Sequence, residues 1–251
     1  MIEHLKKFWV NNIQKVDRGF SYIPGLGEYR ASQIPYCPKK QILRKKPEWM
    51  DPIVLDLIIP DKLLVNDPVA LGSNQSGNAI HENVQNTVKK SIETFAIEKK
   101  VKSTFFGSVN GLLEPFTIGG HIDLILLLGN KLCIVDIKTF KRVERYPAER
   151  YMPNEKYLDQ LAIYMGLTGI KKGFILYINR EDFEPLFYDI DRPDIRFTNM
   201  LKKCNEMLIH ETNATLPETL PKEYKKYTGR MELNWECNYC EFKDYCFQEE
   251  D

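Results

Sequence analysis

The sequence predicts an α/β protein with a mixed central sheet flanked by helices, on three observations. A helix-period apolar stripe precedes the centre of the chain. The centre itself is a run of strand-like segments folded about a Gly-Asn turn. Further segments of helical and strand character alternate after it. At 251 residues and 43% apolar content the chain suits one domain, residues 1–251, with a sizeable core.

Taken in order, a turn is expected at Pro24-Gly25-Leu26-Gly27, a short helix after Pro38, and an irregular stretch from Pro47 to Pro68. With Ser76 as N-cap, Ile80, Val84, Val88, Ile92 and Phe95 mark one face of a long helix over 76–100. Residues 101–113 and 116–128 read as strands, the second ending in the run Ile122 to Leu128. Gly129-Asn130 is a two-residue hairpin turn, and Lys131 to Thr139 return from it. A helix over about 154–168, strands at Gly173 to Asn179 and Pro185 to Asp191, and a helix over about 193–211 complete the pattern. The residues beyond are polar and carry three cysteines.

Composition narrows the function classes. Lys plus Arg equals Asp plus Glu, 35 each, so charge alone does not announce a nucleic-acid binder. Basic clusters at Lys39, Lys40, Arg44, Lys45 and Lys46, at Lys138, Lys141, Arg142 and Arg145, and at Lys222, Lys225, Lys226 and Arg230 read equally well as solvated faces. No stretch approaches the roughly 20 apolar residues of a membrane span. MIEHLKKFWV lacks the apolar run of a secretory signal, so a cytoplasmic protein is expected. No G-x-x-x-x-G-K-[ST] motif occurs, which excludes a P-loop motor.

The hairpin carries the chemistry. With Gly129-Asn130 as its loop, Leu128 faces Lys131 and Asp123 faces Asp136, with β-carbons about 4.5–5.5 Å apart. Lys138, two residues on, shares that face. The strands around them are apolar, and two carboxylates lose hydration and repel in such a setting. A divalent cation such as magnesium or manganese relieves both costs. A neighbouring lysine can orient or deprotonate water and stabilise charge on a phosphate. A surface hairpin with Lys138 merely paired to an aspartate is the plainer reading, but buried strands give it less weight. His81, at the edge of the helix stripe, and His121, opposite Lys138 in the same register, compete as a further ligand, and the residues alone do not choose. Gln160 and Tyr164 share a helix face, as an ordinary amphipathic helix also would.

Cys237-x2-Cys240-x5-Cys246 supplies three thiols in a short span, and Cys37 in Tyr36-Cys37-Pro38 is the natural fourth ligand for a metal or cluster. Cys133 and Cys204 read as packed apolar residues. A site joining residue 37 to the last residues closes a very long loop, so binding there should stabilise the fold.

In order, Tyr36-Cys37-Pro38-Lys39-Lys40, Gly77-x-x-x-His81, Gly120-His121-Ile122-Asp123, Asp136-Ile137-Lys138, Gln160-x-x-x-Tyr164 and the three-cysteine cluster resemble the RecB-like PD-(D/E)XK nucleases, most closely the CRISPR-associated four-cysteine exonucleases. The resemblance implies a restriction-endonuclease-like core with a C-terminal iron–sulfur module built from Cys37 and about 230–251. It implies that His81, Asp123, Asp136 and the Ile137 carbonyl hold magnesium or manganese, that Lys138 is catalytic, and that Gln160 and Tyr164 position substrate and lysine. His121 becomes a DNA contact, with Lys39, Lys40, Lys141 and Arg142. Cys37, Cys237, Cys240 and Cys246 hold a [4Fe–4S] cluster, with [2Fe–2S] or zinc as the alternatives. The expected function is hydrolysis of DNA from single-stranded ends, with CRISPR integration proteins or a helicase as partners, in CRISPR adaptation or recombination and repair. The competing class is a non-catalytic iron–sulfur DNA-binding scaffold; a zinc-ribbon regulator leaves the acidic hairpin unexplained. Two departures are Asp136, where many members carry glutamate, and Lys39, where arginine is frequent.

Overall fold

The computed structural model describes residues 25–46, 68–91, 94–141, 152–225 and 228–247. Pro24, the stretch from Pro47 to Asp67, Ile92, Arg142, Arg145 and Lys226, on which expectations above rested, lie outside the described residues. The elements are β1 (Glu28–Arg30), α1 (Pro38–Lys45), α2 (Pro68–Ser91), β2 (Thr94–Val109), β3 (Leu112–Leu128) and β4 (Lys131–Phe140). They continue with α3 (Glu155–Thr168), β5 (Lys172–Asn179), β6 (Pro185–Asp189), α4 (Pro193–Thr212), β7 (Glu223–Lys225), β8 (Arg230–Glu232), α5 (Trp235–Asn238) and α6 (Lys243–Cys246). The chain divides into two compact units, one of Gly27–Tyr36 with Ser73–Ile209, the other of Met1–Leu26, Cys37–Gly72 and His210–Asp251.

The first unit is built on a six-stranded sheet ordered β1-β3-β4-β5-β6, with β2 also paired to β3. It is mixed: β1 runs parallel to β3 and β4 parallel to β5, while the β2–β3, β3–β4 and β5–β6 pairs are antiparallel. Helix α2 lays Ile80, Val84 and Val88 against Leu124, Leu126, Val135, Ile137, Leu176 and Ile178. Each such side chain, fully buried, stabilises by about 1.5–3 kcal/mol. Helix α3 covers the opposite face, since Gln160 reaches Asp136, and Leu161 and Met165 lie against Gly173, all at alternate positions to that cluster. Its ends are written in the sequence: Asn154 caps the first turn by accepting from the Lys156 N–H at 2.9 Å, and Gly169, at φ 74°, ends the last.

Three boundaries differ from the sequence reading. Helix α2 starts at Pro68, so Ser76 lies inside it, and it stops at Ser91. Phe95 therefore belongs to β2 and is exposed, although its spacing continues the helix stripe. The turn between β2 and β3 falls at Asn110-Gly111, both with positive φ (52° and 83°), as a tight primed turn requires, and not near residues 114–115. Pro115 sits within β3, opposite Phe106; β1 pairs with β3 from Thr117 onward, so among the described residues the missing N–H interrupts no second ladder.

In the second unit Pro38 opens α1, whose Leu43 packs with Phe242, and Leu216 and Tyr245 lie against that pair. The basic residues of α1 have local partners: Lys40 and Arg44 pair with Glu241, Lys45 pairs with Glu211 at 2.6 Å, and Lys39 donates to the Thr219 hydroxyl.

Candidate active site and cysteine pocket

The expected hairpin register holds from Leu128 opposite Lys131 to Leu124 opposite Val135, and there the ladder ends. Asp123 and Asp136 are not a paired couple, which corrects the direct opposition drawn from the sequence. The strands fork instead, and the Ile137 N–H donates to Asp123 Oδ2 at 2.6 Å. The fork also separates His121 from Lys138. His121 pairs with Lys100 and is exposed.

Around the fork the remaining groups gather. Asp136 is 1% exposed, and its Oδ2 lies 2.8 Å from the Lys138 ammonium. Its other oxygen accepts from Gln160 Nε2 at 3.3 Å, and Gln160 also reaches the Tyr164 hydroxyl at 3.2 Å. His81 Nδ1 stands 3.8 Å from Asp123 Oδ2, and the His81 ring is hydrogen-bonded to the Ile137 backbone. Gly120 is needed by this arrangement: a β-carbon there would stand 2.8 Å from the Tyr164 ring.

The electrostatics are those of a crowded acidic site. Burial, then the charge of Asp136, push the Asp123 carboxyl up to about 7. Burial holds the His81 imidazole below its ordinary value, and Lys138 adds to the effect. Burial opposes the charge on Lys138, but Asp136 and Asp123 outweigh it and raise its affinity for a proton. Burial and Asp136 lift the Tyr164 hydroxyl above the usual tyrosine range. The donor types, carboxylate oxygens with one imidazole, are those hard divalent cations take. Among the described residues no three His, Cys, Asp or Glu side chains converge closely enough for a single metal ion. Asp123 is turned to Ile137, and Asp136 to Lys138.

Several residues that sequence reasoning passed over belong here. Gln85, 8% exposed, donates to Glu98 at 2.6 Å and to the Asp123 carbonyl at 3.4 Å. It stands four residues after His81 on α2, a spacing that could have drawn attention to it. Glu98 adopts φ 49° within β2, strained for a non-glycine residue, and acts electrostatically on both Asp123 and His81. Tyr157 places its ring 5.0 Å from the Lys138 ammonium. Lys141, by contrast, is exposed and stands 3.6 Å from Glu181, a surface pair of little energetic weight.

The four cysteines of the expected cluster line a single cavity in the second unit, together with Thr219 and Phe242. The Cys37 N–H donates to Glu236 at 3.0 Å, and the Phe242 N–H approaches Cys240 Sγ at 3.4 Å. Burial raises the thiol pKa values of Cys237, Cys240 and Cys246; for Cys237, Cys37, Cys240 and Cys246 add to it in that order. Thiols so raised bind metal only by giving up their protons. Cys133 and Cys204 are fully buried elsewhere.

A family model described as the PD-(D/E)XK nuclease superfamily matches residues 70–247. The crystal structure of SSO0001 superposes with a TM-score of 0.56 at 20% identity, over 98% of this chain and 96% of that one, a likeness of fold. An alkaline exonuclease from Laribacter hongkongensis, LHK-Exo, gives a TM-score of 0.45 at 14% identity, over 75% of this chain and 90% of that one. No curated protein matches the sequence.

Proposed function

The chain belongs to the PD-(D/E)XK nuclease superfamily, and from that premise we propose that it hydrolyses DNA phosphodiester bonds, from single-stranded ends, with magnesium or manganese. The carrying observation is the gathering at the fork of two buried carboxylates, Asp123 and Asp136, with Lys138 2.8 Å from Asp136 and Gln160 on its other oxygen. Burial and mutual repulsion oppose charge on the two carboxylates, and a divalent cation would relieve both. His81, Asp123, Asp136 and the Ile137 carbonyl would hold it, once the carboxylates leave their present partners. The cation would supply Lewis acidity and a more acidic water.

The chain's own residues do the rest. Gln160 fixes one oxygen of Asp136 and so the aim of the other. Lys138, kept protonated by Asp136 and Asp123, offers hydrogen bonds to the charge that grows on the phosphate. His81, held neutral by burial, keeps a ring nitrogen available as a ligand.

The second part of the proposal is that Cys37, Cys237, Cys240 and Cys246 hold a [4Fe–4S] cluster. Four thiols around one cavity supply a complete donor set, and a backbone N–H directed at Cys240 is a contact cluster sulfurs favour. The motif order carries the setting, that of the CRISPR-associated four-cysteine exonucleases, with integration proteins or a helicase as partners.

The test is digestion of end-labelled single-stranded DNA, with manganese or magnesium, by anaerobically purified wild type, Lys138→Ala and Asp136→Asn. Iron content and absorption near roughly 400 nm are followed together with circular dichroism. Cleavage by wild type that both folded variants lose supports the nuclease reading. A folded, iron-loaded wild type that cleaves no form of DNA with either metal overturns it in favour of the scaffold. Folded protein without iron overturns the cluster alone.

A further inference from the structure

Asp136 holds the Lys138 ammonium at 2.8 Å from one side. A second restraint comes from α3. The Tyr157 ring lies 5.0 Å from Nζ, inside the roughly 6 Å over which an aromatic face attracts a cation. Tyr157 precedes Gln160 by three positions and Tyr164 by seven, so one helix face presents all three to the fork.

The ring is itself held. Its centroid lies 6.2 Å from that of Tyr177, which is 3% exposed and accepts at its hydroxyl from the Asn154 N–H at 3.0 Å. Asn154 also caps α3, so one residue fixes both the start of the helix and the ring beneath Tyr157. Tyr36 extends the wall, with Lys156 4.4 Å over its ring. Burial, then Tyr157, push its hydroxyl up to about 12, and Lys138 and Asp136 also act on it.

Resting on the nuclease reading above, we infer that Tyr157 is a positioning residue, its ring fixing the direction of the Lys138 ammonium for phosphodiester cleavage. The attraction is independent of Asp136, and so persists when that carboxylate is drawn to a cation. It needs the aromatic face and not the hydroxyl. A ring present only to fill space would be replaced by leucine without kinetic consequence.

The test compares Tyr157→Phe and Tyr157→Leu in the full chain with manganese, on end-labelled single-stranded DNA. The expected result is a phenylalanine variant within about twofold of wild type and a leucine variant with kcat about tenfold lower at unchanged KM, the size of a cation–π contact. A leucine variant as fast as wild type overturns the inference. So does a phenylalanine variant as slow as leucine, or a raised KM at unchanged kcat, which would make the ring a substrate contact. A second measurement needs neither metal nor DNA: the NMR signal of the Lys138 ammonium, assigned by its loss in Lys138→Ala. It should be displaced by ring current in wild type and the phenylalanine variant and return toward the ordinary lysine position with leucine. An undisplaced wild-type signal refutes the contact itself. If wild type shows the displacement but cleaves nothing, the nuclease reading fails and the positioning role falls with it, leaving a structural contact.

Discussion

At the acidic fork the functional side chains ride on a long helix and on strands held by ladders; in the cysteine pocket the thiols sit on a helix cap, on two single-turn helices and on the turn between them. Asp136 and Lys138 lie on β4, paired to β5 along its length, and Gln160 and Tyr164 on a capped helix of 14 residues. Cys37 caps α1, while Cys237 and Cys246 belong to helices of four residues each, resting on the small cluster of Leu43 and Phe242. The fork is electrostatically uncomfortable, with a carboxyl pushed up to about 7. The pocket is thinly supported. The fold makes the first site and a cation would relieve it; at the second, the proposed cluster, once bound, would add to the stability of the fold.

Substitutions can break or sharpen that contrast. The largest expected effect is Lys138→Ala, with kcat lower by about a thousandfold and iron content unchanged. Iron lost along with activity would show the two sites to be coupled. Next, Phe242→Ala should cost about 3–5 kcal/mol, read by hydrogen exchange as lost protection at amides 237–246, with iron lost and β4 and β5 still protected. Uniform loss across the sheet would contradict the division. Gly120→Ala, by crowding the Tyr164 ring, should cost about 1–3 kcal/mol in urea unfolding and slow cleavage; a variant of native stability would mean Tyr164 yields freely. The smallest effect concerns pH. Asp123 is raised in the folded state, so its contribution favours folding at low pH and is lost as pH rises from the ordinary aspartate range through about 7. In metal-free protein, Asp123→Asn should gain on wild type between pH 5 and 8 by on the order of 1 kcal/mol. Parallel pH profiles would remove the electrostatic argument.

The comparison also explains what the sequence could convey. The β3–β4 register was readable through Leu124 and Val135 because a two-residue turn fixes pairing and Gly129-Asn130 announces one. The fork beyond was not, since alternation carries no signal for where a ladder stops. Helix α2 ran on into β2 in the sequence reading because no glycine or proline separates Ser91 from Thr94 and Phe95 keeps the period. Pro115 drew the next turn away from Asn110-Gly111, where the better signal stood. His81, Asp136, Lys138 and Gln160 were nameable through their motifs. Glu98 and Tyr157 were not, because a polar or aromatic residue on a helix or strand becomes notable only when its neighbour in space is known; Gln85 offered only its i+4 spacing from His81.

The hydrogen bond from the Cys37 N–H to the Glu236 carboxylate spans 199 positions. On the ribosome, every residue of the sheet-bearing unit has been made once Ile209 is joined. At that point the cysteine pocket lacks three of its four thiols, and it is complete only when Cys246 has followed. At about 5–20 residues per second, the nascent chain has a few seconds in which the hairpin can pair while Cys37 waits without companions. Assembly of the thiol site is therefore expected last. If the four thiols hold the proposed cluster, a cell short of iron would accumulate chains with a formed acidic fork and an open pocket, and those are the chains a protease would find first.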